Sequence, residues 1–247
     1  MKIGVVTEPR LPGAADFARE AERLGVDSLW VPEVWGYDAL TGLAYLAAGT
    51  TSIGLGTFVV QLGSRSPALL ATSALSLQAL SGGRFLLGIG TSGPRVMEGW
   101  HGVRFTKPVQ TTRETIEIVR TVSRGERLVH DGEIYPLPLP NSDGAALVPM
   151  VAPAHVPVYN AAMGPANLAL TGELADGRPY YTMAEIRGRT LASVIEAVHA
   201  ASSAGLNVSV MVTSCPASAN TWAMPWPIRP MPIMPMFMVG CSRWLQK

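Results

Sequence analysis

The chain has 247 residues, a length that suits one large domain or a barrel of about 250 residues. Only 15% of the residues are charged, below the roughly 25% that is usual for soluble domains, and the net charge is +1. The charges form no basic stripe or block, which argues against nucleic acid or an acidic membrane surface as the main partner.

Two further patterns predict a cytoplasmic protein. The apolar start of the chain is interrupted by Glu8 and Pro9, too soon for a signal peptide, and no uninterrupted apolar run is long enough to span a membrane. The two cysteines, Cys215 and Cys241, lie late in the chain and have no metal-ligand spacing. We therefore expect a reducing compartment, no membrane association and no metal site.

The first half of the chain alternates between apolar runs and amphipathic segments. These predict strands at residues 2–6, 28–31, 53–60 and 85–89, and helices at 13–24, 39–48, 67–80 and 112–124. Asp38 is expected to cap the second helix and Pro67 to begin the third. Four strand–helix units with short connections predict an α/β protein with a parallel sheet, and we favour a TIM-type (β/α)8 barrel over an open, doubly wound sheet.

The alternation is interrupted over residues 125–157, which are rich in Pro, Gly and Asp. Within them, the sequence HDGEIYPL predicts a small hairpin in an excursion outside the barrel. The pattern then resumes with strands at 158–161, near 178–181 and at 207–213, and with helices at 164–174 and 184–201.

Residues 217–247 differ in character from the rest of the chain. They alternate Met, Pro and Trp, and no Asp or Glu follows Glu196. Proline at this density excludes a helix interior and a central strand, so we do not expect the eighth strand and helix of a barrel there. We expect a barrel domain over residues 1–216 that is incomplete at its carboxyl end. The tail over 217–247 is either disordered or the product of a slipped reading frame.

The fourth predicted strand runs into a loop of small residues, Gly90-Thr91-Ser92-Gly93-Pro94, and two ionisable side chains follow. Enzymes of the α/β class build their sites at the carboxyl ends of such strands. Glu98 is a candidate general acid, with a solvent-facing helix residue as the alternative. His101 is a candidate proton relay, with a histidine bonded to the loop backbone as the alternative. The glycines also fit an ordinary tight turn.

A second loop of small residues, Ala161-Ala162-Met163-Gly164, follows the fifth predicted strand. Small residues at a strand end let a flat ring lie on the backbone, and Gly164 precedes a helix whose first amides suit an anion. The alternative is an ordinary turn between a strand and a helix. No catalytic triad, Rossmann motif or P-loop is present, and His130, His155 and His199 are expected to be structural. The two loops together predict a cofactor with a planar head.

These segments resemble the luciferase-like flavin and deazaflavin oxidoreductases. The resemblance is strongest to the branch that uses coenzyme F420 and includes methylenetetrahydromethanopterin reductase and the deazaflavin type of glucose-6-phosphate dehydrogenase. The motifs that carry it are EVWGYDA, IGLGTFV, SGGRFLLGIGTSGPRVMEGWHG, TTRETIEIVR, HDGEIY and PVYNAAMGP. They run from the start of the chain to about residue 177.

The resemblance implies a TIM-type barrel, a homodimer, and a deazaflavin at the carboxyl ends of the strands. It also implies a non-proline cis peptide between Phe58 and Val59. The candidate cofactor-binding residues are Phe58, Val59, Ser92, Gly93, Ala161, Ala162, Met163 and Gly164. The candidate catalytic residues are Glu98, Glu33 and His101, and Trp35 is expected near the reactive face.

The activity that the resemblance implies is hydride transfer between coenzyme F420 and a small organic substrate. One alternative is an FMN-dependent luciferase-like monooxygenase that is supplied by a partner reductase. A second alternative is a truncated barrel without activity, because an incomplete barrel exposes strand edges and apolar side chains.

Overall fold

The computed structural model of the chain describes residues 4–7, 13–162, 164–176 and 211–213. Within them, seven short strands form one sheet and six helices accompany it. The strands are β1 (Gly4–Val6), β2 (Ser28–Val31), β3 (Gly54–Thr57), β4 (Val60–Gln61), β5 (Phe85–Gly90), β6 (Val158–Asn160) and β7 (Met211–Thr213). The helices are α1 (Ala14–Arg23), α2 (Ala39–Ala47), α3 (Pro67–Ser81), α4 (Pro94–Gly99), α5 (Pro108–Ser123) and α6 (Pro165–Leu174).

Every strand pair of this sheet is parallel. The order across the sheet is β6, β5, β3, β2, β1 and β7, and β4 also pairs with β5. Because β3 and β4 run one after the other along β5, they are two parts of one barrel strand. Chain order and sheet order therefore agree from β1 to β6, as predicted for a TIM-type barrel. Among the described strands β6 and β7 are the outermost, and no described pairing closes the barrel between them.

Side chains alternate between the two faces of the sheet, and both faces are covered. The outward side chains, such as Leu29 and Leu87, are fully buried in the main hydrophobic core that the helices share. The inward side chains form a smaller cluster, in which Val6 and Trp30 are buried and Phe58, Leu86 and Tyr159 pack against them. Burial on both faces explains why the strands read as nearly continuous apolar runs in the sequence.

Trp30 fills the inside of the barrel. Its indole N–H donates to Ser28 Oγ at 2.9 Å, and its ring meets the ring of Tyr159 edge-on, with the centroids 5.3 Å apart. A Cβ on Gly56 would lie 2.2 Å from the Trp30 ring, so the neighbouring strand needs glycine there. The inner cluster therefore fills the barrel just before the strands reach their carboxyl ends.

Two helix starts follow the local signals of the sequence. Asp38 Oδ1 accepts a hydrogen bond from the Thr41 N–H at 2.8 Å and caps α2. Helix α3 begins at Pro67, and the Ser66 hydroxyl caps it. Both predictions are confirmed. Helix α5 begins at Pro108, one turn before the predicted residue 112, because this proline also suits a first helical position.

The strand predicted over 53–60 is divided into β3 and β4. The ladder between β3 and β5 ends at Gly56, and pairing resumes only at Val60. Between them, the Thr57 hydroxyl donates to the Gly88 oxygen at 2.7 Å and accepts from the Gly88 N–H at 2.8 Å. The apolar residues favour a strand locally, but a threonine side chain here takes the backbone partners that the ladder would use.

The excursion over residues 125–157 is tied to helix α5. His130 and Leu137 form an antiparallel bridge with two main-chain hydrogen bonds of 2.8 Å, which confirms the predicted hairpin. The buried carboxylate of Glu114 in α5 accepts hydrogen bonds from three consecutive main-chain N–H groups, those of residues 133–135. A helix of the barrel therefore holds the hairpin in place.

Several predicted elements lie outside the described residues, namely the strand near 178–181, the helix over 184–201 and the tail over 217–247. Of the strand predicted over 207–213, the structure describes Met211–Thr213, which pairs in parallel with β1. Across the described ranges, none of the helices is both long and apolar enough to span a membrane. The same residues contain no cluster of His, Cys, Asp and Glu that could hold a metal ion.

Candidate functional site

Three strand ends meet on the inner side of the barrel at its carboxyl end. Gly90 lies between the other two ends: a Cβ placed on it would lie 2.7 Å from Val59 Cγ2 and 3.5 Å from Ala161 Cβ. Val59, Gly90 and Ala161 therefore form one continuous surface, which we call the strand-end surface. The sequence placed these residues in three separate segments, and the structure brings them together.

The end of β3 supports this surface. The peptide bond between Phe58 and Val59 is cis, as the resemblance implied. The Phe58 N–H donates to the Val31 carbonyl at 2.7 Å, so the segment stays joined to β2. On the other side, a Cβ on Gly88 would lie 1.9 Å from the Thr57 oxygen, and only glycine allows this close approach.

The loops around the strand-end surface carry the small side chains that the sequence predicted. Ala161 and Ala162 are half-buried, and Ser92 is exposed with a φ of 57°. A Cβ on Gly93 or on Gly164 would meet no atom within 4 Å, so open space lies beside both glycines. Small side chains therefore border the strand-end surface, which is the lining that the sequence predicts for a planar cofactor. Met163 lies outside the described residues.

Glu33 is held by other protein groups. Its two oxygens accept hydrogen bonds from Arg65 at 2.7 and 2.9 Å, and one also accepts from the Ala39 N–H at 3.0 Å. Its side chain is only 8% exposed. Both oxygens are therefore occupied, and Glu33 joins the end of β2 to the start of α2 instead of offering a free carboxylate.

Arg65 completes an ion-pair network at this edge. It also bonds Asp38 Oδ2 at 2.7 Å, so one guanidinium links two carboxylates. The hydrogen bond to Glu33 raises the pKa of Arg65 above its ordinary value. Burial acts to raise the pKa of Asp38, but hydrogen bonds from Thr41 and Arg65 outweigh it and lower that pKa. The network fixes the segment over residues 33–38, which carries the exposed ring of Trp35.

Glu98 lies on the exposed side of the short helix α4. Its carboxylate accepts a hydrogen bond from the Phe105 N–H at 3.1 Å, while the neighbouring Met97 is buried below the helix. This arrangement matches the alternative of a solvent-facing helix residue. Among the described residues, Oε1 has the Phe105 N–H as its partner and Oε2 has none. The catalytic role of Glu98 remains a prediction.

His101 contacts a residue that sequence reasoning missed. Its Nε2 lies 2.9 Å from Gln61 Oε1, and the Gln61 amide nitrogen donates to the Val34 oxygen at 3.0 Å. Gln61 is the last residue of β4 and is 4% exposed. A buried glutamine at the end of an apolar strand is a signal that could have found it, because such an amide needs specific partners.

Of two cavities formed by the described residues, one borders the carboxyl end of the strands. A cavity of about 130 Å³ is lined by Gly63, Thr91, Met97, Phe105, Ile134 and Tyr135, among others. The excursion therefore forms one wall of a space that reaches the loop after β5. A larger cavity of about 440 Å³, lined by residues such as Arg120 and His155, lies at the amino end of β6 and does not border the strand-end surface.

With this geometry in place, comparison with known proteins identifies the family. The luciferase-like monooxygenase family model matches residues 2–226. The chain belongs to this family.

Its curated relatives include a protein named for coenzyme F420 and two methylenetetrahydromethanopterin reductases. A putative coenzyme F420-dependent oxidoreductase of Mycobacterium tuberculosis is 45% identical over 170 residues, which cover 66% of this chain and 49% of the relative. The 5,10-methylenetetrahydromethanopterin reductase of Methanolobus tindarius is 35% identical over 180 residues, which cover 72% of this chain and 53% of the relative. The chain thus spans about half the length of the curated relatives it matches.

A solved structure confirms the fold. The coenzyme F420-dependent tetrahydromethanopterin reductase of Methanopyrus kandleri superposes with a TM-score of 0.61 at 20% identity, covering 74% of this chain and 55% of that one. This likeness confirms the α/β fold of the luciferase-like TIM-barrel kind for the parallel strands and helices described above, in which the described pairings do not close the barrel.

Proposed function

We propose that the chain is a coenzyme F420-dependent oxidoreductase that transfers a hydride between the deazaflavin and a small organic substrate. The observation that carries this proposal is the strand-end surface, where Val59, Gly90 and Ala161 lie side by side with open space at the flanking glycines. The name of one curated relative, the putative coenzyme F420-dependent oxidoreductase of Mycobacterium tuberculosis, favours coenzyme F420 as the molecule that binds there.

The residues present fit a planar ring. The surface consists of a methyl group at Ala161, a bare backbone at Gly90 and a short branched side chain at Val59. Phe58, Ser92, Ala162 and the following loop would contact the edges of the ring. The backbone at Gly164 precedes α6, whose first N–H groups suit an anionic part of the cofactor.

The protein's own groups would bind and orient the cofactor and the substrate, and would exclude water from the site. When bound, coenzyme F420 supplies a carbon that accepts or releases a hydride. The inner cluster around Trp30 lies below the site, so the described strands offer their carboxyl ends to the substrate. His101 and Glu98 are the proposed groups that hold or move a proton, and the Glu33–Arg65 pair fixes the segment that carries Trp35.

We also propose that the protein acts as a cytoplasmic homodimer on a small organic molecule. The support is the family membership, together with a neutral charge balance that favours neither nucleic acid nor membrane. Light scattering of the purified chain tests the oligomeric state: a mass twice that of the chain supports the dimer, and a single-chain mass at micromolar concentration contradicts it.

The cofactor is tested by titrating the purified chain with coenzyme F420 and, separately, with FMN. We expect saturable binding of coenzyme F420 at lower concentrations than FMN. Gly93→Leu places a side chain in the open space without a clash and should abolish binding, whereas Gly172→Leu, on an equally open glycine of α6, should not. Retention of FMN alone would favour the monooxygenase, and a cooperatively melting chain that binds neither would favour the inactive barrel.

A further inference from the structure

Gln61 occupies a position where an apolar residue is expected. Its neighbours Val60 and Leu62 are buried in the outer hydrophobic core, so strand alternation points Gln61 to the inner side of the barrel. Its ladder partner is Gly90, a member of the strand-end surface. Gln61 is thus a buried amide at the mouth of the proposed site.

The orientation of the Gln61 amide is fixed by its partners. Its Nε2 lies 3.0 Å from the Val34 oxygen and 3.4 Å from the Glu33 oxygen. Both are acceptors, so the NH₂ group of the amide must face them, and the amide oxygen must face His101. The opposite orientation would place three oxygens together and leave both carbonyls without a donor.

The amide orientation decides which nitrogen of His101 carries a proton. Gln61 Oε1 can only accept, so His101 Nε2, at 2.9 Å, must be the donor. A neutral imidazole has one N–H, and the lone pair of His101 therefore lies on Nδ1. Among the described residues, none forms a hydrogen bond with that nitrogen.

We propose that Gln61 is a positioning residue that holds His101 in the Nε2–H tautomer and so makes Nδ1 the proton acceptor of the site. The amide is itself anchored to the main chain of residues 33–34, which the Glu33–Arg65 pair fixes. His101 is thus held against a rigid frame, although it lies in a loop. The role in proton transfer rests on the proposed oxidoreductase function, whereas the tautomer does not.

The tautomer is measured directly by nitrogen-15 NMR of the imidazole rings in the full chain. The chain has four histidines, and His101→Gln identifies the signal of interest. We expect the neutral imidazole of His101 in the native protein to be in the Nε2–H form. Equal populations of the two tautomers, or a predominant Nδ1–H form, would overturn the proposal whether or not any cofactor binds.

One substitution of Gln61 and a matched control separate positioning from packing. Gln61→Met keeps the volume but removes the acceptor, and should give a mixture of tautomers. Gln78→Met is the matched control, since Gln78 is an equally buried glutamine that bonds the main chain at Phe85 and His155. It should lower the melting temperature and leave the His101 spectrum unchanged.

The catalytic part is tested with the F420-dependent reaction. We expect Gln61→Met to lower kcat about tenfold with little change in KM, and to alter the pH dependence of kcat, because a general base works only in the correct protonation state. A kcat and pH profile equal to those of the native chain would contradict a role in proton transfer. If coenzyme F420 does not bind at all, the proposed function fails, while the NMR result still decides the tautomer.

Discussion

Glu114 in helix α5 accepts a 2.8 Å hydrogen bond from the main-chain N–H of Tyr135 in the excursion. Glu114 is 1% exposed, and its oxygens also accept from the N–H groups of residues 133 and 134 and from the Gln110 side chain. This carboxylate joins the segment TTRETIEIVR, which contains Glu114, to the segment HDGEIY, which contains residues 133–135. It also sets one wall of the 130 Å³ cavity, because Tyr135 lines it.

Replacing Glu114 should detach the hairpin. Glu114→Gln removes the charge and turns an NH₂ group toward main-chain donors, so we expect a loss of about 3 kcal/mol in the free energy of unfolding. Hydrogen exchange should show faster exchange of the amides of residues 133–135. The control Glu126→Gln, which removes an exposed carboxylate paired with Arg124, should have a much smaller effect. Unchanged exchange at 133–135 would contradict the anchoring role.

The same hairpin should respond to pH through His130. Its Nδ1 lies 3.0 Å from the Tyr135 carbonyl oxygen and its Nε2 lies 3.1 Å from Glu117 Oε2. Both partners are acceptors, so both ring nitrogens must donate and the imidazole is charged in this arrangement. Burial acts to lower the pKa of His130, but the hydrogen bonds to Tyr135 and Glu117 outweigh it and raise that pKa.

A raised pKa in the folded state fixes the direction of the effect. The contribution of His130 to the stability of the hairpin is fully present below its pKa in the unfolded chain, about 6.5. It is lost as pH rises through the higher pKa of the folded state. We expect amide exchange at residues 133–135, corrected for its intrinsic pH dependence, to accelerate over that range. His130→Gln should remove this change. A pH dependence that persists in the variant would assign it to another group.

A substitution of Gly88 tests the close approach between β5 and the end of β3. A Cβ there would lie 1.9 Å from the Thr57 main-chain oxygen, which cannot move aside as a flexible side chain would. We expect Gly88→Ala to destabilise the fold by about 3 kcal/mol in denaturant unfolding. Gly172→Ala, in open space on α6, should leave stability unchanged or raise it. Equal stability of the two variants would show that the strands are farther apart than described.

The ion pair between Arg65 and Glu33 should act as a structural unit. Arg65→Met leaves a carboxylate that is 8% exposed without its partner, so we expect a loss of about 2–3 kcal/mol. Adding Glu33→Gln to this variant should recover part of the loss, because the unpaired charge is then removed. Arg113→Met, which breaks an exposed pair with Glu173, is the control and should cost much less. Additive effects of the two substitutions would contradict the coupling.

Sequence reasoning found the features that depend on nearby residues. Asp38 as a cap and Pro67 as a helix start follow from contacts within one turn, and the alternation of strands and helices predicted the parallel sheet. The cis bond at Phe58–Val59 came from the resemblance alone. The helix cap and the helix start are encoded within a short segment, so a single sequence contains enough information for them.

The features that sequence reasoning missed depend on residues that are distant from one another in the chain. Gln61 meets His101 40 residues later, and Thr57 meets Gly88 31 residues later. The resemblance gave Glu33 as a candidate catalytic residue, and its pairing with Arg65, 32 residues later, was not predicted. Side-chain pairings of this kind are set by the register of the sheet, which periodicity does not specify.

The most direct test of the account is a crystal structure of the chain with coenzyme F420. The account predicts that the deazaflavin ring lies in van der Waals contact with Val59, Gly90 and Ala161, with His101 at the same mouth of the barrel. A ring bound elsewhere, for example in the 440 Å³ cavity beside Arg120 and His155, would contradict it.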